Sequence, residues 1–159
     1  MINLALPPSV ADIRQWTRIA QPFCLIFSNA AQTLSNITTT DVVFNSETSD
    51  RWGMHDTVTN NERITFAVSG LYLCGGNVRF DSNATGLREV RLNDSASIDI
   101  AIVQVGPSAT FDAINLSRLW QFDAGDYLKM TAFQASGGNL DITTNNGLSP
   151  VMWCVRVGG

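Results

Sequence analysis

Charge is scarce in this chain. Charged residues make up 15% of the 159 residues, well below the roughly 25% that is usual in soluble domains. Ten lysine and arginine residues stand against 14 aspartate and glutamate residues, for a formal net charge of −4. A nucleic-acid-binding domain normally gathers basic residues on one face, so that class is not expected. Serine, threonine and asparagine together total 40 residues against 24 charged ones, which predicts a surface of neutral hydrogen-bonding groups.

Long apolar runs are also missing. No run approaches the roughly 18 residues of a membrane-spanning helix, and the first residues do not combine a basic region with an apolar stretch, so we expect no secretory signal. The cysteine count is three, an odd number whose spacing fits no zinc motif. Cys24, Cys74 and Cys154 all lie in apolar runs. We predict that they are small buried hydrophobes with reduced thiols.

Catalytic motifs are lacking as well. The chain has one histidine, His55, and neither a Gly-x-Ser-x-Gly sequence nor a phosphate-binding glycine loop, so we expect no catalytic or cofactor site. A metal site is not predicted either, because no second histidine is available; the alternative is a calcium site gathered from Asp81, Asp94 and Asp99. We interpret Trp52 and His55 as loop residues available for surface recognition.

Residues 1–21 are predicted to form an arm separate from the domain at 22–159. Ser9 and Asp12 have the spacing of a helix capping box, and apolar residues recur near a 3.6-residue period as far as Ala20. A helix of about ten residues is not stable alone in water, so it must pack on its own domain or on a partner. The residues expected to bind that partner are Ile13, Arg14, Trp16 and Arg18.

From Pro22 onward the pattern is that of β-strands separated by turn sequences. Ten strands are predicted, at 22–27, 41–45, 63–68, 71–80, 87–92, 98–105, 113–122, 127–134, 139–144 and 150–157. In the sixth of these, Ile98, Ile100 and Ile102 are expected to share one face. The spacing favours an all-β antiparallel sandwich or jelly roll.

Three of these segments are apolar on both faces: PFCLIF at 22–27, LYLC at 71–74 and VMWCV at 151–155. One side of an antiparallel sheet normally faces water, so a second layer must cover these strands. The arm is too small to cover a sheet. We therefore expect another copy of the chain to do so.

Four segments in the same order resemble the jelly-roll superfamily of the complement C-one-q globular head and tumour necrosis factor. They are Val43-Phe44-Asn45, ITFAVSGLYLCGG at 64–76, RLWQFDAGDYLKMTAF at 118–133 and PVMWCVRVG at 150–158. The resemblance implies a ten-strand jelly roll and a tight homotrimer with one sheet lining the threefold axis. The trimer interface residues expected from it are Phe23, Leu25, Phe27, Tyr72, Trp153 and Val155.

The stretch Trp52–Asp56 and the loop Asn83–Gly86 resemble bacteriophage members of this group. That resemblance implies a non-enzymatic virion structural protein, assembled in the host cytoplasm and displayed on the virion surface. The expected role is a capsid decoration or cement protein that the arm seats on the major capsid protein or another virion protein. The alternative is the receptor-binding tip of a tail fibre or baseplate that recognises host glycans.

Overall fold

The computed structural model describes residues 21–145 and 149–159, and every regular element in those ranges is a strand. The predicted arm helix, with Ile13, Arg14, Trp16 and Arg18, lies outside the described residues. Twelve strands follow one another along the chain: β1 (Phe23–Phe27), β2 (Gln32–Leu34), β3 (Thr40–Asp41), β4 (Ser46–Asp50), β5 (Arg63–Thr65), β6 (Gly70–Phe80), β7 (Arg88–Asp94), β8 (Asp99–Val105), β9 (Asp112–Phe122), β10 (Tyr127–Gln134), β11 (Leu140–Ile142) and β12 (Val151–Gly158).

The strands form two antiparallel sheets. Sheet A runs in the order β2-β11-β6-β12-β1-β4, and β9 pairs with β6 along its whole length. Sheet B runs β3-β10-β7-β8, and β5 also pairs with β10. The prediction of an all-β antiparallel sandwich is confirmed.

The core lies between the two sheets. Along most strands every second side chain points into this space and is buried. Phe66 stacks on Phe122 with ring centroids 3.9 Å apart and is tilted against Tyr72 at 4.5 Å. Such aromatic pairs stabilise a core beyond the area they bury. They join the loop after β5 to two neighbouring strands of sheet A.

Two strands were not predicted from the sequence. Strand β4 reads SETSD and contains no apolar residue, because it is an edge strand with little contact to the core. Strand β2 is three residues long. Of the predicted strand 41–45, only Asp41 lies in a strand, at the end of β3; Val42 and Phe44 are nevertheless buried.

The expectation that three isoleucines share a face of β8 is wrong. The pairing of β7 with β8 shifts register between Leu92 and Asn93, and such a bulge reverses which side chains point inward. Ile100 is buried, whereas Ile98 and Ile102 are about half exposed.

A fully buried guanidinium fixes the loop before β7. Arg88 donates hydrogen bonds to the carbonyl oxygens of Asn83, Thr85 and Leu87 at 2.9–3.0 Å. Its Nε lies 3.8 Å from a carboxylate oxygen of Asp112. Because three carbonyl groups depend on one side chain, Arg88 determines the conformation of the loop.

A candidate self-association face on sheet A

The outer face of sheet A, the side away from the core, is unusually apolar. We call it the apolar face and define it by Phe23, Leu25, Phe27, Leu71, Leu73, Leu119, Trp153 and Val155. These side chains alternate along their strands with buried ones that point into the core, such as Cys24, Ile26 and Cys154.

The strand register aligns the apolar face into rows. One row crosses four strands through Phe23, Val155, Leu73 and Leu119, each opposite the next. The neighbouring row contains Leu25 and Trp153, with Gly75 opposite the indole. Directly opposed side chains on one face touch, so the face is one continuous surface.

This surface is accessible in the single chain. Leu119 is 51% exposed and Leu71 is 37% exposed, and the other members are half-buried. The outer face of an antiparallel sheet is normally polar, and a contiguous apolar patch on a soluble protein marks an interaction surface.

The apolar face ends in a groove of about 660 Å³ beside Trp153. Its lining includes Asn77, Asn115 and Ser117 from sheet A and Ile102 from β8. Asn77 and Asn115 are directly opposite each other. On β6 and β9 the outer face therefore changes from apolar at Leu73 and Leu119 to polar at Asn77 and Asn115.

The structure places five of the six predicted interface residues on the apolar face; the exception is Tyr72. Tyr72 is fully buried, and its hydroxyl donates to the carbonyl oxygen of Val68 at 2.7 Å. It therefore contributes to the core and not to the outer surface. Leu71, Leu73 and Leu119 occupy the face and were not predicted.

A signal for the correct assignment was present in the sequence. Side chains two positions apart in a strand point to the same side. Because Cys74 is predicted to be buried, this period places Tyr72 in the core and Leu71 and Leu73 on the outer face.

The two loop residues predicted for surface recognition differ in accessibility. Trp52 is 40% exposed. The His55 ring is fully buried, with Nδ1 3.0 Å from a Glu47 carboxylate oxygen and Nε2 3.3 Å from the carbonyl oxygen of Asn61. The prediction that His55 is available for surface recognition is therefore wrong, because the ring is buried and both of its nitrogens already have partners, Glu47 in β4 and Asn61 before β5.

The three cysteines lie in one cross-strand row, with Cys154 opposite both Cys24 and Cys74. All three are free and buried, as predicted. Burial raises the pKa of the Cys74 thiol from 9.0 to about 12, and burial is also the main cause that raises the pKa of Cys24 and of Cys154. A protonated thiol is a poor nucleophile and metal ligand.

The carboxylates considered for calcium have local partners. Asp94 accepts hydrogen bonds from the backbone of Ala96 and Ile98, and Asp99 pairs with Arg91. Among the described residues, no group of three or more histidine, cysteine or acidic side chains is arranged to hold a metal ion. In the same part of the chain, no helix has the length and hydropathy needed to cross a bilayer.

Comparison with known proteins identifies the fold and no more. No family model matches the sequence, and no curated protein matches it. Among solved structures, Eiger TNF from S. frugiperda aligns with a TM-score of 0.65 at 13% identity, over 87% of this chain and 93% of that one. The chain has the jelly-roll fold of tumour necrosis factor.

Two further structures agree with this result. Murine APRIL aligns with a TM-score of 0.66 at 10% identity, over 86% of this chain and 99% of that one. The globular domain of zebrafish complement 1qA protein aligns with a TM-score of 0.61 at 15% identity, over 86% and 97% of the two chains. The likeness to the complement and tumour necrosis factor jelly rolls expected from the sequence segments is confirmed at the level of fold.

Proposed function

We propose that this protein is a non-enzymatic structural knob that functions as a homotrimer on a bacteriophage virion. The observation that carries the proposal is the apolar face, a surface of eight apolar side chains on four adjacent strands. Burial of such surface contributes roughly 25 cal/mol per Å² before the costs of association are subtracted. A second apolar surface that covers the apolar face removes it from water. Another copy of the chain supplies such a surface.

The number of copies follows from the resemblance to a family of trimers. In a closed ring each copy gives and receives the same contact. The row from Phe23 to Leu119 lies nearest the ring axis in this arrangement, and the groove beside Trp153 receives the edge of a neighbouring copy.

The virion role rests on the resemblance of Trp52–Asp56 and Asn83–Gly86 to bacteriophage members of the group. We favour a capsid decoration or cement protein, because residues 1–21 contain no coiled-coil heptads of the kind that would join a knob to a fibre. Arg14, Trp16 and Arg18 bind the major capsid protein or another virion protein. Three weak arm contacts on one rigid trimer give an avidity that one arm lacks.

The second candidate is the receptor-binding tip of a tail fibre or baseplate. The observation in its favour is the half-exposed indole of Trp52. In this role a host glycan stacks on that indole. The arm then connects the knob to the fibre.

One experiment separates these roles. Purified particles are imaged with the protein labelled, together with a variant that lacks residues 1–21. The proposal predicts label on the head and a truncated variant that remains trimeric but no longer attaches. Label confined to the tail favours the second candidate, and absence of the protein from particles contradicts both.

A further inference from the structure

The outer face of sheet B, opposite the apolar face across the sandwich, contains a cleft of about 300 Å³. Strands β3, β7, β8 and β10 contribute to it. Its polar lining includes Asp41, Arg91, Asn93, Asp99, Lys129 and Thr131. We call it the sheet B cleft.

The two cations in the cleft are held by carboxylates. The Lys129 ammonium donates to Asp41 at 2.8 Å and lies 3.4 Å from Glu62. Arg91 donates its Nε to Glu89 at 2.6 Å and its Nη1 to Asp99 at 3.1 Å. The hydrogen bond that Lys129 donates to the Asp41 carboxylate raises the pKa of Lys129, so this side chain stays charged.

An amide joins the two halves of the cleft. The Asn93 Nδ2 donates to Asp99, and its Oδ1 accepts a hydrogen bond from the Thr131 hydroxyl at 2.9 Å. Lys129 and Arg91 are only 24% and 33% exposed in their side chains. Donors and acceptors therefore alternate in a fixed array, and a ligand need not order them on binding.

The array has hydrogen-bonding capacity left over. An ammonium group carries three donors, a guanidinium five, and each carboxylate about four acceptor sites. Asp41 and Glu62 occupy two of the three Lys129 donors, and acceptor sites remain on Asp41 and Asp99. A ligand that both donates and accepts can therefore add bonds without breaking those already present.

The charge distribution selects among such ligands. Asp41, Asp94 and Asp99 line the cleft against Lys129 and Arg91, and Glu62 and Glu89 add negative charge beside the two cations. This excess of carboxylates disfavours an anion. An ammonium or guanidinium ligand has no acceptor atom for the free donors of Lys129 and Arg91, so the group that lies against these two cations must itself accept hydrogen bonds.

We propose that the sheet B cleft binds a neutral saccharide. Vicinal hydroxyl groups donate and accept at the same time, which matches alternating carboxylates, amide and cations. Tyr127 closes one end of the cleft as an aromatic wall, with the Arg63 guanidinium 4.8 Å from its ring centroid.

The position of the cleft allows several copies to act together. A copy that covers the apolar face leaves the outer face of sheet B open, so a trimer presents three clefts. This multivalency rests on the proposed self-association, whereas the site itself is complete in one chain.

The test is a glycan array followed by saturation-transfer NMR with the neutral oligosaccharides that score highest. We expect at least one neutral oligosaccharide to receive saturation from the protein, and sialylated and phosphorylated sugars to receive none. Lys129→Met and Thr131→Val should each weaken binding by about tenfold, because each removes a hydrogen-bonding group. The matched control is Arg51→Met, which removes an exposed cation outside the cleft.

Three results would overturn the inference: no neutral glycan binds, an anionic sugar binds better than neutral ones, or both cleft variants bind as the unaltered chain does. Circular dichroism melts of all variants confirm that each is folded. A trimer that binds no saccharide contradicts this inference alone. A monomer that binds saccharide contradicts the proposed self-association alone.

Discussion

Trp153 lies directly against Gly75, the residue opposite it in the pairing of β12 with β6. A Cβ atom at position 75 would lie 2.6 Å from Cζ2 of the indole, closer than such atoms can approach. The missing side chain thus leaves room for the indole against the neighbouring strand. The shape of the apolar face depends on this contact.

Gly75→Ala should displace the indole and weaken self-association. The added methyl also meets the carbonyl oxygen of Leu116 at 2.8 Å, so we expect a loss of about 1–3 kcal/mol in the free energy of unfolding. Tryptophan emission reports the displacement of the indole, and a concentration series in analytical ultracentrifugation measures self-association. Gly106→Ala is the control, because nothing lies within 4 Å of its added Cβ. Equal behaviour of the two variants would show that the contact is unimportant.

Leu119→Asp should dissociate the assembly without unfolding the chain. Leu119 is 51% exposed in the single chain, so an aspartate there is solvated in the monomer but carries a desolvated charge in a covered face. Light scattering should give a monomer at micromolar concentration. Gln104→Asp places the same charge on an exposed position of β8 and should leave the mass unchanged. An assembly that survives Leu119→Asp would exclude this residue from the interface.

Arg88→Met should destabilise the fold strongly. The change leaves three carbonyl oxygens and the Asp112 carboxylate without the guanidinium that they face. Removing one partner of a buried charged group costs about 3–5 kcal/mol. Urea denaturation measures the loss, and Arg118→Met, at an exposed position, should change stability by less than about 0.5 kcal/mol. A small effect of Arg88→Met would mean that water replaces the side chain at little cost.

The buried thiols should make the protein sensitive to alkali. The folded pKa of Cys74 is raised from 9.0 to about 12, so above pH 9 the unfolded chain loses this proton while the folded chain keeps it. The contribution of the protonated thiol to the free energy of unfolding is therefore fully present below pH 9. It falls as the pH rises toward 12, by up to about 1.4 kcal/mol per pH unit for each thiol. Urea titrations from pH 7 to 11 test this, and Cys74→Ala should reduce the slope. A slope unchanged by that substitution would contradict the assignment.

Much of the fold could be predicted because inward and outward side chains differ along most strands. Ile64, Phe66 and the long strands β6, β9, β10 and β12 carry clear apolar signals. Strand β4 could not be found in this way, since it is a polar edge strand that pairs with β1 and contributes no apolar side chain to the core.

The candidate site was predictable in position and only partly in detail. Strands that are apolar on both faces indicate a covered sheet. To place Leu71 and Leu73 on the outer face instead of Tyr72, one must also know which alternate residues of β6 point outward. The bulge that turns Ile102 outward leaves no signal in the sequence, because it depends on the pairing of β7 with β8. The sheet B cleft combines residues from four strands and could not be assembled without the register.

The mass of the intact chain in solution tests the central claim most directly. Multi-angle light scattering at micromolar concentration should give three times the 17.3 kDa of one chain. A mass of one chain under the same conditions would show that the apolar face stays open to water and would contradict the account.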